Sequence, residues 1–285
     1  MTPEVDARMS EKKAACVIGW PIKHSRSPLI HGYWIKQHGL NADYRREEVA
    51  PDQFDAFIKN LPAHGYVGAN ITIPHKEAAL AASEPDDRAR AVGAANTLWL
   101  DNGTLRSTNT DVEGFIDNLD AAVPHWDRDA GEAVVLGAGG SSRAIVYGLI
   151  ERGFKTIHVV NRTLDRAQAL RERFGSAVQP ANTTALPHLL KRAGLLVNTT
   201  SLGMTGQPPL DIDLSSLHGD AVVADLVYAP LDTALLAAAR KRGLKTADGL
   251  GMLLHQAVRG FALWFGVRPK VTPELRALVE ADLVK

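Results

Sequence analysis

The fold of this chain is decided by residues 133–163, which read AVVL at 133–136, GAGGSSRA at 137–144, IHVV at 157–160 and NRT at 161–163. A buried strand, a glycine turn, a helix and a second strand in this order are typical of a dinucleotide-binding unit. Glycines let the backbone approach a pyrophosphate, and unpaired N–H groups at the helix N-terminus attract its charge. Because Ser142 occupies the third fingerprint position instead of Gly or Ala, a purely structural glycine turn is the alternative.

The residues after the second strand indicate which dinucleotide would bind. An NAD site usually has an acidic residue about 20 positions after the glycines, where it bonds the ribose 2′-hydroxyl. Asn161 and Arg162 occupy that place here, and Arg166 follows one helical turn later. Cations at this point suit a 2′-phosphate, so we expect an NADP site. For Arg162 taken alone, a solvated surface charge is the alternative.

Composition limits the class of protein. The chain has 285 residues, of which 45% are hydrophobic, and its formal net charge is zero. This hydrophobic content is enough for two cores. The neutral net charge indicates neither a nucleic-acid partner nor a membrane partner. Cys16, the single cysteine, excludes an internal disulfide and fits a reducing, cytoplasmic location. Residues 1–13 do not resemble a signal peptide and are predicted to be disordered. His24, His31 and His75 lack metal-ligand spacing, so no metal is expected.

Two α/β units are predicted from the periodicity of the apolar residues. Before residue 111, short apolar runs alternate with helical patterns, and Asn102-Gly103 predicts a hairpin between strands at 97–100 and 105–108. From Ala133 onward a doubly wound, Rossmann-like pattern begins, since its apolar runs do not alternate with polar residues. A helix is predicted at 250–265, with Gln256 pointing away from its apolar stripe.

Lys76 and Asp111 are the candidate catalytic pair. Lys76 opens a predicted helix just after Pro74 ends a strand, and Asp111 closely follows the strand at 105–108. Ligands of open α/β sheets gather at such strand ends. A ketone reduction needs a proton donor beside the carbonyl oxygen, and a lysine oriented by a carboxylate can supply it. A surface ion pair is the alternative.

Small hydroxyl and amide side chains lie at other strand ends and loops. Ser25 and Ser27 precede the first predicted helix, Thr72 lies in the strand before the candidate lysine, and Asn96 follows two alanines. Such groups suit a polyol that also carries a carboxylate. Each residue alone is better explained by a turn or capping role, and Ser27 before Pro28 would be a natural N-cap; only their convergence favours a binding site.

A series of short motifs connects these observations. In chain order they are GWPIKHSRSPLIH at 19–31, NITIPHK at 70–76, GAANT at 93–97, NTD at 109–111, GAGGSSRA at 137–144, NRT at 161–163, NTTSLGM at 198–204, DLVY at 225–228 and GLGML at 249–253. Together they resemble the shikimate dehydrogenases from about residue 16 to 265, which is nearly the whole chain.

The resemblance implies reversible reduction of 3-dehydroshikimate to shikimate with NADPH, in aromatic amino-acid biosynthesis. It implies that Lys76 is the general acid/base and Asp111 its partner. A substrate-binding catalytic domain would span 14–111 and be completed by 250–285, and a Rossmann-like NADP-binding domain would span 112–249. The implied substrate-binding residues are Ser25, Ser27, Thr72, Asn96, Tyr228 and Gln256. The implied cofactor-binding residues are Gly137, Ala138, Gly139, Gly140, Ser141, Asn161, Arg162, Thr163, Arg166, Leu226 and Gly249.

Three alternatives stay open at this point. The first is a relative that also acts on quinate or uses NAD, although Arg162 argues against NAD. The second is a non-catalytic metabolite sensor on the same fold, which would be expected to lose Lys76 or Asp111. The third is another Rossmann enzyme such as a glutamyl-tRNA reductase, which would need a nucleophilic cysteine where Cys16 lies in an apolar run. We expect a small-molecule substrate and a monomer or homodimer.

Overall fold

The structure, a computed structural model, describes residues 12–128 and 131–283. Its strands are β1 (Lys13–Gly19), β2 (Ala42–Glu48), β3 (Tyr66–Ile71), β4 (Glu84–Pro85), β5 (Thr97–Asp101), β6 (Thr104–Thr108), β7 (Glu132–Leu136), β8 (Thr156–Val160), β9 (Val178–Ala181), β10 (Ala193–Asn198), β11 (Val222–Asp225) and β12 (Lys245–Ala247). Its helices are α1 (Ser27–Gln37), α2 (Phe54–Lys59), α3 (Lys76–Ala81), α4 (Asp87–Val92), α5 (Asp111–Ala122), α6 (Gly140–Glu151), α7 (Leu164–Phe174), α8 (Leu186–Leu189), α9 (Ala234–Lys241), α10 (Gly249–Phe265) and α11 (Pro273–Leu283).

The first sheet has six strands in the order β2-β1-β3-β5-β6-β4. Strands β1, β2 and β3 are parallel, and the β5–β6 hairpin pairs with β3 in the antiparallel direction. Asn102 and Gly103 join the hairpin strands with φ angles of 49° and 82°. Both angles are positive, as the Asn-Gly dipeptide predicts for a tight hairpin turn. The parallel strands therefore end at one edge, where β3 runs into the segment that precedes α3.

The second sheet is parallel throughout, in the order β12-β11-β10-β7-β8-β9. The chain reverses its direction of travel across the sheet between β7 and β10, and such a switch point is where open α/β sheets bind ligands. Val134 and Val135 of β7 are both fully buried although they face opposite sides. Burial on both faces explains the apolar runs without alternation. The predicted two-sheet, doubly wound α/β fold is confirmed.

Helices α5 and α10 connect the two sheets and pack closely against each other. A Cβ on Gly114 would lie 2.5 Å from Gln256 Cβ and 2.8 Å from the Met252 carbonyl oxygen, so only glycine permits this approach. Helices α10 and α11 then return to cover the first sheet, where Trp34 of α1 is buried among them. The Trp34 indole Nε1 donates to the Lys270 carbonyl oxygen at 3.0 Å.

Several predicted boundaries differ from the structure. The sequence predicts disorder for residues 1–13, of which 1–11 lie outside the described part of the chain. Lys13 begins β1 and pairs with Ala42, so the prediction of disorder is wrong at Lys13. The polar and apolar residues at 112–122 predict a helix, and the structure begins it one residue earlier, at Asp111. The sequence does not predict helix α7. Only Ala167 and Leu170 of its 11 residues are buried, which is too few for an apolar stripe. Among the described residues, no helix combines the length and apolarity needed to cross a membrane.

Candidate active site

A cleft of about 370 Å³ lies where the ends of the two sheets meet. It brings together all eight residues that the sequence singled out for catalysis and substrate binding, together with three of those assigned to the cofactor. These residues are Ser25, Ser27, Thr72, Lys76, Asn96, Asp111, Tyr228 and Gln256, with Ser141, Leu226 and Gly249. Residues that are up to 231 positions apart by number, from Ser25 to Gln256, therefore line one surface.

Lys76 and Asp111 form a direct ion pair inside this cleft. Lys76 Nζ donates to Asp111 Oδ2 at 2.6 Å, and the two side chains are 25% and 14% exposed. Both residues are the first of a helix, α3 and α5 respectively. The other carboxylate oxygen, Oδ1, accepts from Asn96 Nδ2 at 2.8 Å. The pair is thus held in the lining of the cleft and mostly buried, and the surface-ion-pair alternative does not describe its surroundings.

Asn96 is itself fixed by the backbone and side chains around it. Its Oδ1 accepts from the Thr110 backbone N–H at 2.8 Å and from Thr97 Oγ1 at 3.1 Å. With its oxygen occupied in this way, the amide must present Nδ2 to Asp111. A further series of hydrogen bonds supports Thr97. Asn70 Nδ2 donates to Thr97 Oγ1 at 3.3 Å, and the Tyr44 hydroxyl donates to Asn70 Oδ1 at 2.6 Å. Buried, fully paired networks of this kind restrict side chains to a single orientation.

Ser25 and Ser27 line the same cleft, at the start of α1. Ser25 Oγ donates to Ser27 Oγ at 3.2 Å and accepts from the Ser27 backbone N–H at 3.3 Å. Ser27 is the first residue of α1 and Arg26 is its N-cap, so the capping alternative for Ser27 is wrong. Burial raises the pKa of the Tyr228 phenol. At neutral pH this hydroxyl is therefore protonated and able to donate to an anionic group.

The glycine turn at the start of α6 forms an open cradle of backbone. Gly137 has a φ of 99°, and a Cβ there would lie 2.9 Å from Thr199 Oγ1. Apart from neighbouring residues in sequence and the backbone of α6, no described atom lies within 4 Å of where a Cβ on Gly139 or Gly140 would be, and no side chain caps the helix. Ser142 is fully buried and donates from Oγ to the Gly139 carbonyl oxygen at 2.8 Å. Its small side chain explains why serine is tolerated at the third fingerprint position.

A second cleft, of about 760 Å³, opens beside this cradle. Among its lining residues are Ala138, Gly139, Gly140 and Arg166, as well as Arg143 and Arg173. The cradle and the adjacent cations fit the pyrophosphate and 2′-phosphate of a dinucleotide. Arg162 and Thr163 are exposed in the loop after β8, and Asn161 Nδ2 donates to the Thr163 carbonyl oxygen at 2.7 Å. Neither cleft is lined by Gly137 or by residues 161–163, so their assignment to the cofactor stays a prediction.

Sequence reasoning missed three side chains near the two clefts. Tyr44 supports the network beneath Asn96, but its strand carries no motif that would single it out. Arg143 and Arg173 line the second cleft. A cation on the first turn after the glycines is a signal that could have identified Arg143. Arg173 lies ten residues into α7, and only the packing of that helix reveals its position.

The comparisons with known proteins agree with this geometry. A family model described as the shikimate dehydrogenase substrate binding domain matches residues 17–98. Models described as Shikimate / quinate 5-dehydrogenase and as the Shikimate 5′-dehydrogenase C-terminal domain match residues 123–204 and 249–278. The shikimate dehydrogenase (NADP(+)) of Nitrobacter hamburgensis is 68% identical over 283 residues, covering 99% of this chain and 97% of that protein. The chain belongs to the shikimate dehydrogenase family.

Solved structures related to this shikimate dehydrogenase family member share its architecture. The enzyme of Thermus thermophilus, in complex with NADP(H) and shikimate, is 33% identical with a TM-score of 0.82, covering 95% of this chain and 98% of that one. The quinate dehydrogenase of Corynebacterium glutamicum, in complex with NAD, is 31% identical with a TM-score of 0.88, covering 95% and 99%. The fold is thus shared by family members that differ in substrate and cofactor.

Proposed function

We propose that this protein is an NADP-dependent shikimate dehydrogenase that interconverts 3-dehydroshikimate and shikimate. The observation that carries the proposal is the Lys76–Asp111 pair, 2.6 Å apart in a cleft that is also lined by Ser141, the residue directly after the glycine cradle. This arrangement supports Lys76 as the proton donor to a carbonyl bound between it and the dinucleotide. A non-catalytic sensor would have no need of it. The high identity to NADP(+)-dependent enzymes supports the same activity.

Lys76 is the general acid in ketone reduction and the general base in the reverse direction. Its ammonium gives a proton to the substrate carbonyl oxygen as that oxygen becomes a hydroxyl, and the neutral amine takes the proton back during alcohol oxidation. Asp111 orients the ammonium through Oδ2, while Asn96 holds the other carboxylate oxygen. Asp111 also contacts the substrate in this proposal.

The remaining polar residues of the cleft would orient the substrate. Ser25, Ser27 and Tyr228 supply hydroxyl donors for the substrate carboxylate, and all three line the cleft that contains the lysine. Thr72, Asn96 and Gln256 supply hydroxyl and amide groups for the ring hydroxyls. Gln256 Nε2 donates to the Leu253 carbonyl oxygen at 3.1 Å and its Oε1 accepts from Thr110 Oγ1 at 3.5 Å, so these two contacts orient its amide.

The cofactor would lie across the end of the second sheet. When bound, NADPH supplies the hydride for the reduction. The glycine backbone would receive the pyrophosphate, and Arg162 and Arg166 the 2′-phosphate. Gly249 allows the start of α10 to approach the backbone of Leu226, because a Cβ on residue 249 would overlap the Leu226 carbonyl group. The proposed cofactor set is otherwise that given by the sequence: Gly137, Ala138, Gly139, Gly140, Ser141, Asn161, Thr163 and Leu226.

The domain boundaries, location and assembly are part of the proposal as well. A substrate-binding domain of residues 14–111 with 250–285, and a cofactor domain of 112–249, is supported by the two separate sheets and by the return of α10 and α11. We propose a cytoplasmic monomer or homodimer that has no nucleic-acid or membrane partner.

The decisive assay follows cofactor reduction with shikimate and with quinate in parallel, first with NADP⁺ and then with NAD⁺. We expect the highest kcat/KM for shikimate with NADP⁺. Equal or greater kcat/KM for quinate would identify a broader quinate/shikimate enzyme, and a preference for NAD⁺ would contradict the role of Arg162 and Arg166. Binding of shikimate without turnover under any condition would favour a sensor.

A further inference from the structure

Arg143 forms an ion pair that joins the two halves of the molecule beside the catalytic lysine. It lies on the first turn of α6, and its Nη1 is 2.8 Å from Oε1 of Glu77. Glu77 is the second residue of α3, directly after Lys76. Within residues 12–128 and 131–283, this is the only hydrogen bond of the Arg143 guanidinium. The pair therefore connects the cofactor cradle to the helix that carries the proton donor.

The remaining donors of Arg143 are available to a second anion. A guanidinium has five N–H groups in a rigid plane, so one edge can remain on a carboxylate while another bonds a phosphate. Arg143 lines the second cleft together with Gly139 and Gly140, where the N-terminal N–H groups of α6 are uncapped. A pyrophosphate bound to that cradle would come near the carboxylate of Glu77, which is 70% exposed. Arg143 lies in the position to bond both anions and to remove their repulsion.

We propose that Arg143 bonds Glu77 and the cofactor pyrophosphate at the same time, so that cofactor binding fixes the first turn of α3, and with it Lys76, against the second sheet. The inference rests on the proposed function, because the pyrophosphate is that of NADP. Arg143 does not distinguish NADP from NAD, since both contain a pyrophosphate. Cofactor and substrate strengthen each other's binding by the same factor, because a coupling free energy is reciprocal.

Binding calorimetry on the full-length protein tests this coupling. NADP⁺ and 3-dehydroshikimate are both oxidised, so they form a ternary complex without turnover. The coupling factor is the Kd of 3-dehydroshikimate alone divided by its Kd at saturating NADP⁺. We expect Arg143→Gln to weaken NADP⁺ and NAD⁺ alike, by about tenfold for a lost charge-assisted contact. Glu77→Gln should affect either cofactor alone much less. Both substitutions, and the double variant, should reduce the coupling factor to about 1.

Three further variants separate this role from a general loss of charge. Arg166→Gln should weaken NADP⁺ more than NAD⁺ and keep the coupling. Arg143→Lys, which keeps the charge without the planar fork, should recover cofactor affinity but not the coupling. Arg106→Gln removes a 2.8 Å ion pair with Asp101 inside the β5–β6 hairpin and should change neither quantity.

Specific outcomes would overturn the inference. These are a coupling factor of 1 in the unsubstituted protein, an unchanged factor in Glu77→Gln, or unchanged cofactor binding in Arg143→Gln. If the unsubstituted protein bound neither NADP⁺ nor 3-dehydroshikimate, the proposed function itself would be wrong. Normal binding of both ligands with unaffected variants would remove only the role of Arg143.

Discussion

At the scale of single residues, Lys76 carries the chemistry. Lys76→Ala removes the proton donor and leaves the Asp111 carboxylate with Asn96 as its partner. We expect kcat to fall by about 10²–10⁴-fold, the usual contribution of a positioned general acid. The thermal midpoint should change little, because the lysine is partly exposed. Steady-state kinetics and thermal unfolding measure the two effects, and near-normal turnover would contradict the assignment.

His31 is a second residue whose environment has a measurable consequence. The ring is fully buried and stacks on Tyr44 with 4.1 Å between ring centroids. Burial lowers the pKa of His31 from 6.5 to about 3. Between these two pH values, His31 is therefore mostly protonated in the unfolded chain and mostly neutral in the folded protein. Stability should fall as pH drops from 6.5 towards 3, by about 1.4 kcal/mol per pH unit.

His31→Leu removes this titration with little change of volume. Neither ring nitrogen has a well-formed hydrogen bond among the described residues, and the neighbouring Asn70 amide keeps its bonds to Tyr44 and Thr97, so the substitution leaves no polar group unpaired at neutral pH. Between pH 7 and pH 5, the free energy of unfolding of the unsubstituted protein should fall by about 2 kcal/mol more than that of the variant. Urea unfolding at both pH values measures the difference. His188→Gln, at an exposed position, is the control, and the same pH dependence in all three proteins would refute the prediction.

At the scale of helices, the α5–α10 contact positions the site. Asp111 begins α5 and Gln256 lies on α10, so a change in the separation of these helices moves both. Gly114→Ala would force the helices apart, with an expected loss of about 1–3 kcal/mol in the free energy of unfolding. The KM for shikimate should rise as well. Urea unfolding and kinetics provide the two readouts.

Gly32→Ala is the matched control for this helix contact. Gly32 lies inside α1, and none of the described atoms is within 4 Å of where its Cβ would be. Without steric overlap, alanine should stabilise the helix by about 0.5–1 kcal/mol and leave the KM unchanged. The two glycine substitutions should thus have effects of opposite sign, and equal effects would show that the close approach at Gly114 is unimportant.

The sequence predicts those elements whose periodicity is strong and those residues that lie in motifs. Strands β7 and β8 and helix α10 were predictable because burial on two faces or one stripe leaves a clear pattern. Helix α7 was not, because only Ala167 and Leu170 are buried while its first residue, Leu164, is exposed, so the sequence shows no apolar stripe. Likewise Lys76 and Asp111 could be expected at strand ends, whereas the Tyr44–Asn70 bond and the Arg143–Glu77 pair depend on tertiary packing between elements distant in sequence.

At the scale of the whole molecule, Glu113 of α5 joins two helices that are distant from each other in sequence, α4 and α10. Its Oε1 accepts from Arg88 Nη1 of α4 at 2.7 Å and from Arg259 Nη1 of α10 at 2.8 Å. Glu113→Gln would leave two partly buried guanidinium groups without their shared anion. We expect the free energy of unfolding to fall by about 1–2 kcal/mol, the lower part of the range for charged contacts because of partial exposure.

The control for Glu113 is an ion pair that lies within one helix. Glu280 pairs with Arg276 at 2.8 Å on α11, at a spacing of four residues. Glu280→Gln should lower the free energy of unfolding by less than about 0.5 kcal/mol, as is usual for such pairs. Urea unfolding measures the free energy of unfolding of both variants. If Glu113→Gln lowered it no more than Glu280→Gln does, Glu113 would not have the proposed role of joining the helices.

The return of α10 and α11 to the first sheet has a consequence for biosynthesis on the ribosome. The second sheet ends at Ala247, so all its strands have been translated before α10 is made. The apolar face around Ala15 and Trp34 is translated early but is covered by residues as late as Val279. In the nascent chain, the second sheet can therefore close first, while the earlier-translated sheet must wait for the C-terminus. During that interval its uncovered face is the part of the polypeptide that chaperones would need to shield.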